Sequence, residues 1–305
     1  MRSRLDNTRI VRRNGGWHLI RTDGSVAWSS EAVAFGDDAV WPEQPGPDRD
    51  ALILAAVRGG AARFSFANVT SSTNEHAATF RIFGDALQMP FEASATGFVR
   101  VSVSAALEQT IADLLDCSLL TAKLADLLFA QRTTSLPPHT QVPDATMVTT
   151  RVMVAQSAWI DAQLAAGSDT TIVQTVGKHW IVDNLFLSKA AGTARDGRPR
   201  AINYGWAMTG PSFQGVNWPR SVTLPNVFTV QNRGWAHSSG EADYSQNCVL
   251  VSNDCVVDGQ AMRLADVLRD PTLSYLANAD GVLHVLRQPG VAPVAPVGGG
   301  NALAS

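Results

Sequence analysis

Between positions 237 and 245 the chain places His237, Glu241, Asp243, Tyr244 and Ser245 within nine residues, then enters an apolar run. That density stands out in a chain only 17% charged. Catalytic groups concentrate on loops held by a rigid scaffold. His237 and Asp243 read most naturally as a base and its orienter, because a carboxylate on one imidazole nitrogen fixes the tautomer of the other. Ser245 or Tyr244 would donate a proton or attack. The plainer alternative is that Asp243 and Ser245 cap a turn, Tyr244 packs and His237 is a loop residue.

A second group lies in "VGKHWIVDNLF", where Lys178 and His179 open an apolar strand. If His179 projects towards a neighbouring strand end, it meets His237 and Asp243. Two histidines and an aspartate are enough for a metal such as zinc, although the sequence requires no cofactor and shows no HExxH pattern. The alternative for His179 is a half-buried strand residue. A third candidate is Cys117 in "LLDCSLLTAKL": at a helix start its thiolate would be stabilised, whereas inside a helical hairpin it is a small apolar residue. Trp206, Trp218 and Trp235 come from "YGWAM", "GVNWPR" and "NRGWAH". Tryptophans beside polar groups suit stacking on sugar rings or an extended substrate, and burial suits them equally. Tyr204, Trp206, Trp235, Tyr244 and Lys178 are the expected substrate contacts.

Asp116, Cys117 and Ser118 before an apolar helix, with His179 later at the head of a strand, resemble the NlpC-type papain-like peptidases. Leu119 stands where that family has glycine. More widely, residues 105–290, with "GKHWIVDN", "INYGW" and "DYSQ", resemble a group of bacterial proteins of unassigned function that carry a comparable Tyr-Gly-Trp strand and an Asp-Tyr-Ser strand. Gln246 replaces the final histidine of that pattern. The resemblance implies that His179, Tyr204, Trp206, His237, Asp243 and Ser245 share a pocket, and it implies no reaction.

The elements that would position these groups divide the chain into three parts. Residues 1–104 read as β-rich, with hairpins around Thr22-Asp23-Gly24 and Gly59-Gly60 and strands in "ATFRIFG" and "TGFVRVSVSA". Residues 105–290 read as α+β. Leucines at helical spacing between 105 and 131 form two helices interrupted at "DCS", with Asp116 or Ser118 as a cap for the second. A third helix ends near Gly167, and strands return from 170 onward. The expected strands there are "TIVQTVG", "HWIVDNLFL", "AINYGWAM", "VFTVQN", "NCVLVSN", "CVVDG" and "VLHVLRQ", with a turn at Asn253-Asp254 and two short helices before the last. The fold class is therefore α+β, with a mixed or antiparallel sheet flanked by helices. Residues 291–305 read as a flexible Pro/Gly/Ala-rich tail.

With 305 residues, 45% of them hydrophobic, and a net charge of −3, the chain can bury a sizeable core and has no basic footprint for nucleic acid. No run reaches the roughly 18 apolar residues of a membrane span. The start lacks the apolar stretch of a secretory signal, so synthesis in the cytoplasm is expected, with any release by lysis or a non-classical route. Three cysteines form no disulfide framework. These features suit a hydrolase acting on a cell-envelope polymer, peptidoglycan peptide or glycan. The alternatives are a non-enzymatic binding or structural module, such as a virion or tail component, and a metal-dependent hydrolase using His179, His237 and Asp243.

Overall fold

The computed structural model describes residues 8–13, 16–21, 26–29, 41–91, 94, 96–141, 143–164, 167–174, 176–188, 192–210, 212–213 and 216–297. Its architecture is α+β, with antiparallel sheets flanked by helices. Strands β1 (Thr8–Arg13), β2 (Gly16–Arg21) and β3 (Val26–Ser29) form an antiparallel meander. The Thr22-Asp23-Gly24 turn lies outside the described residues.

The expected hairpin around Gly59-Gly60 is replaced by helix α1 (Pro47–Arg58), which runs directly into it. Pro47 opens the helix, Asp48 and Asp50 occupy its first turn, and Arg58 closes it. Gly60 takes φ 69°, the left-handed stop that glycine permits. The run "ALILAAV" is thus a buried helical segment, which periodicity alone cannot separate from a strand.

Strands β4 (Phe66–Ser72) and β5 (Ala77–Phe83) form a true hairpin, and β6 (Gln88–Pro90) pairs with β7 (Phe98–Arg100). Ser104 caps α2 (Ala105–Leu114) through Leu107 N–H. Thr121, rather than Asp116 or Ser118, caps α3 (Ala122–Ala130) through Leu124 N–H. Between these helices "CSL" is strand β8 (Cys117–Leu119). Thr149 caps α4 (Thr150–Gln163).

A second sheet holds the candidate chemistry: β9 (Lys178–Ile181), β10 (Arg200–Thr209) and β11 (Val227–Ser238), antiparallel with β10 central. Strand β11 continues through "RGWAHS", where a loop was expected beyond "VFTVQN". It carries two bulges: Ala201, Asn203 and Gly205 face His237, Gly234 and Gln231, so two steps on β10 match three on β11 each time. "LVSNDCVV" is one strand, β12 (Leu250–Val257), without a turn at Asn253-Asp254. The hairpin instead turns at Asp258-Gly259, with φ 50° and 78°, into β13 (Gln260–Arg263) and α5 (Leu264–Arg269). "VLHVLRQ" forms no strand.

The larger sheet runs β13-β12-β5-β4, with β8 also paired to β12. It takes strands from both sides of residue 104. The core between its helices and sheets includes Phe80, Ile82, Leu124, Trp180 and Leu250, each under 2% exposed. Removing each from water contributes about 1.5–3 kcal/mol. At the far end Val294 N–H donates to Asp113 and Val297 N–H to the Leu114 carbonyl, so residues 291–297 are tied to the end of α2. The remainder of the expected tail lies outside the described residues.

Candidate functional site

Strand geometry sorts the expected residues onto two faces of the β9-β10-β11 sheet. Cross-strand partners share a face and neighbours along a strand alternate. His179 pairs with Tyr204, and Trp180 pairs with Asn203. His179 and Tyr204 therefore project to one side, and Trp180, Asn203 and, by alternation, Lys178 to the other. The His237 ring meets the Trp180 ring edge-on at 5.8 Å, which sets it on the Trp180 side. His179 and His237 thus lie on opposite faces of the sheet. The shared pocket and the ligand set His179, His237 and Asp243 are not formed. Among the described residues no group of three or more His, Cys, Asp and Glu side chains is arranged to hold a metal ion.

On the first face, His179 is buried with no partner for Nδ1, and burial lowers its pKa to about 4. A side chain on Gly205, at φ 105°, would crowd the His179 ring at 3.2 Å. Tyr204, expected to touch substrate, donates to Asp126 Oδ1 at 2.7 Å and accepts from Val222 N–H at 2.8 Å. Asp126 Oδ2 also accepts from Thr223. Burial, then the charge of Asp126, pushes the Tyr204 phenol above its ordinary range. This is a closed network joining α3, β10 and the 221–223 segment.

On the second face His237, next to the last residue of β11, packs edge-on against Trp180. His237 Nδ1 lies 2.8 Å from Glu241 Oε2, and Glu241 Oε1 accepts from Ser238 N–H at 3.0 Å. A carboxylate only accepts, so Nδ1 carries the hydrogen and Nε2 the lone pair of the neutral ring. The orienter of His237 is therefore Glu241, four residues on, instead of Asp243. The imidazole keeps 24% of its side chain exposed.

Asp243 is engaged elsewhere. Its Oδ1 accepts from Ser245 N–H at 2.8 Å and Ser245 Oγ at 2.5 Å, while Oδ2 meets Lys178 Nζ at 3.1 Å. Ser245, 1% exposed, is thus a turn donor and not an accessible nucleophile. Lys178 is held twice, since its N–H donates to the Ser245 carbonyl at 2.6 Å. Tyr244 is also buried; its hydroxyl accepts from Gln141 N–H at 2.6 Å, and burial raises it to about 12. The Trp206 ring meets Tyr244 edge-on at 6.1 Å and is 3% exposed, so it is a wall and not a stacking platform. Trp235 and Trp218 are half-buried.

Cys117 does not open a helix. It sits in β8 opposite Ser252, 3% exposed, and burial pushes its thiol up to about 12. Such a thiol is a packing residue. Two further groups escaped sequence reasoning. His139 stacks on Trp159 at 4.2 Å with Nδ1 2.7 Å from Gln156 Oε1. Glu241, present in the 237–245 cluster, carried no assigned role there, because four-residue spacing along the chain does not distinguish it from Asp243 as the partner of His237.

No protein-family model, curated protein or solved structure matches the chain. The functional reading rests on these contacts.

Proposed function

We propose that the protein is a hydrolase whose general base is His237, oriented by Glu241, acting on a cell-envelope polymer such as peptidoglycan. The observation that carries this reading is the half-exposed His237–Glu241 pair at 2.8 Å. Glu241 holds the proton on Nδ1, so Nε2 takes a proton from water as the oxygen adds to an acyl or anomeric carbon. The resulting imidazolium returns a proton to the leaving nitrogen or oxygen. Buried Ser245 and Cys117 favour direct attack by water over a covalent intermediate. Half-buried Trp235, two positions before His237, supports an extended substrate with an apolar or sugar face.

The test is release of soluble fragments from purified peptidoglycan, with new amines and new reducing ends measured separately. His237→Ala should lower turnover by about 10²–10⁴-fold. Glu241→Gln should give a smaller loss and should melt within about 1 kcal/mol of the native protein, since the Glu241 side chain is half-exposed. A second reading, a non-enzymatic binding module, is favoured by the internal bonding of Lys178, Asp243 and Ser245. Unchanged release by His237→Ala would remove His237 as the base, and absence of release by the native protein would leave the second reading.

A further inference from the structure

A groove of about 670 Å³ opens beside the larger sheet and shares no residue with the His237 site. That volume suits a small organic ligand. Ser72 and Thr79 of the β4-β5 hairpin, Lys123 and Leu127 of α3, and Val256 and Asp258 at the end of β12 line it. Lys123 and Leu127, four apart on α3, share a helix face, so an ammonium and an apolar side chain border the groove together. Val256 adds a second apolar surface and is 42% exposed. Asp258 is the single acid among the lining residues, and it is already engaged. Its Oδ1 accepts from Ala77 N–H at 2.9 Å, and its Oδ2 lies 2.7 Å from His76 Nδ1.

Lys123 is a cation without a local reason for its place. It stands in the first turn of α3, where the helix dipole favours acids, and that turn holds none. It is half-buried, and burial holds its ammonium below the ordinary lysine range. One of its three hydrogens goes to the Tyr275 carbonyl, and among the described residues no carboxylate pairs with it. Taking a charge partly out of water without an opposite charge is costly.

We infer that the groove binds a small organic monoanion, a carboxylate whose head group pairs with Lys123 and whose apolar chain lies against Leu127 and Val256. The lining supplies one unpaired cation and no arginine fork, which suits a single carboxylate better than a dianionic phosphate. A cationic ligand is repelled by Lys123 and finds the Asp258 oxygens already bonded. The hydroxyls of Ser72 and Thr79 are further donors along the lining. The site is independent of the reading of His237 as a base.

The test is calorimetric binding of octanoate, octanol and octylammonium to the full chain at neutral pH. These probes share one apolar chain and differ in head-group charge. Octanoate should bind at least about tenfold more tightly than the other two, the scale of one charge-assisted hydrogen bond. Lys123→Met keeps the length of the side chain and removes its charge, so it should bring octanoate down to the octanol level. Lys123→Arg, which keeps the charge, should retain the preference. Ser72→Trp, an exposed position on the groove wall, should block octanoate and octanol alike. Failure of octanoate to bind, equal binding of all three probes, or a preference that survives Lys123→Met overturns the inference. Octanoate binding untouched by Ser72→Trp places the anion elsewhere and overturns it too. His237→Ala should leave octanoate binding unchanged, and a loss there would overturn the independence of the two sites.

Discussion

At the scale of single residues, the two histidines differ because one is sealed and the other is not. His179 sits in the interior, where burial lowers its pKa to about 4, below the roughly 6.5 of an unfolded chain. Between those values the unfolded state binds the proton and the folded state does not. Stability from neutral His179 is therefore complete above about pH 6.5 and is lost as pH falls towards 4, by about 3 kcal/mol in all. His179→Gln should narrow the gap in urea unfolding free energy between pH 7 and pH 4.5 by about 2 kcal/mol. An equal acid loss in variant and native protein would sink the assignment. His237, held at the rim by Glu241, has a proton on a chosen nitrogen and access to water. The sequence reading paired this histidine with Asp243, and the structure pairs it with Glu241. Spacing along the chain could not tell which of Glu241 and Asp243 turns inward, because that depends on Lys178, 65 residues earlier, which captures Asp243.

At the scale of elements, local signals were readable and long-range pairing was not. Leu120, Leu124, Leu127 and Leu128 at helical spacing lie on or beside α3, and α4 follows from its own periodicity. The three residues of β8 were invisible as a strand, since only β12, more than 130 residues later, gives them partners. Asn253 looked like a turn residue. Its amide instead reaches Asp116 Oδ1 at 2.9 Å, and its Oδ1 accepts from Ser118 Oγ at 2.6 Å, which holds it within a continuous strand where the pairing with β5 shifts register between Val251 and Cys255. The true turn, Asp258-Gly259, had the stronger hairpin signature. Close approach of elements also gives a test. A Cβ on Gly177 would collide with the Ser245 carbonyl and the Asn247 amide, both fixed by bonds to the 176–178 segment. Gly177→Ala should cost about 1–3 kcal/mol in thermal unfolding by forcing the 245–247 segment off β9. No cost would mean that this junction gives way freely.

At the scale of the whole molecule, the larger sheet places β4 and β5 beside β12 and β13, joining residues 66–83 to residues 250–263. Residues 105–290 expressed alone should therefore expose the edge of β12 and the buried faces of Val251 and Cys255, and should fail to melt cooperatively in calorimetry. A sharp transition in that fragment would show that the shared sheet is dispensable. The same sheet imposes a timetable on biosynthesis. The β4-β5 hairpin leaves the ribosome well before its partner strand is made, and at ordinary elongation rates of about 5–20 residues per second it waits roughly 10–35 s for β12. During that interval Phe80 and Ile82 have no neighbouring strand on that side, so the nascent chain depends on chaperones or on dilution until β12 has emerged.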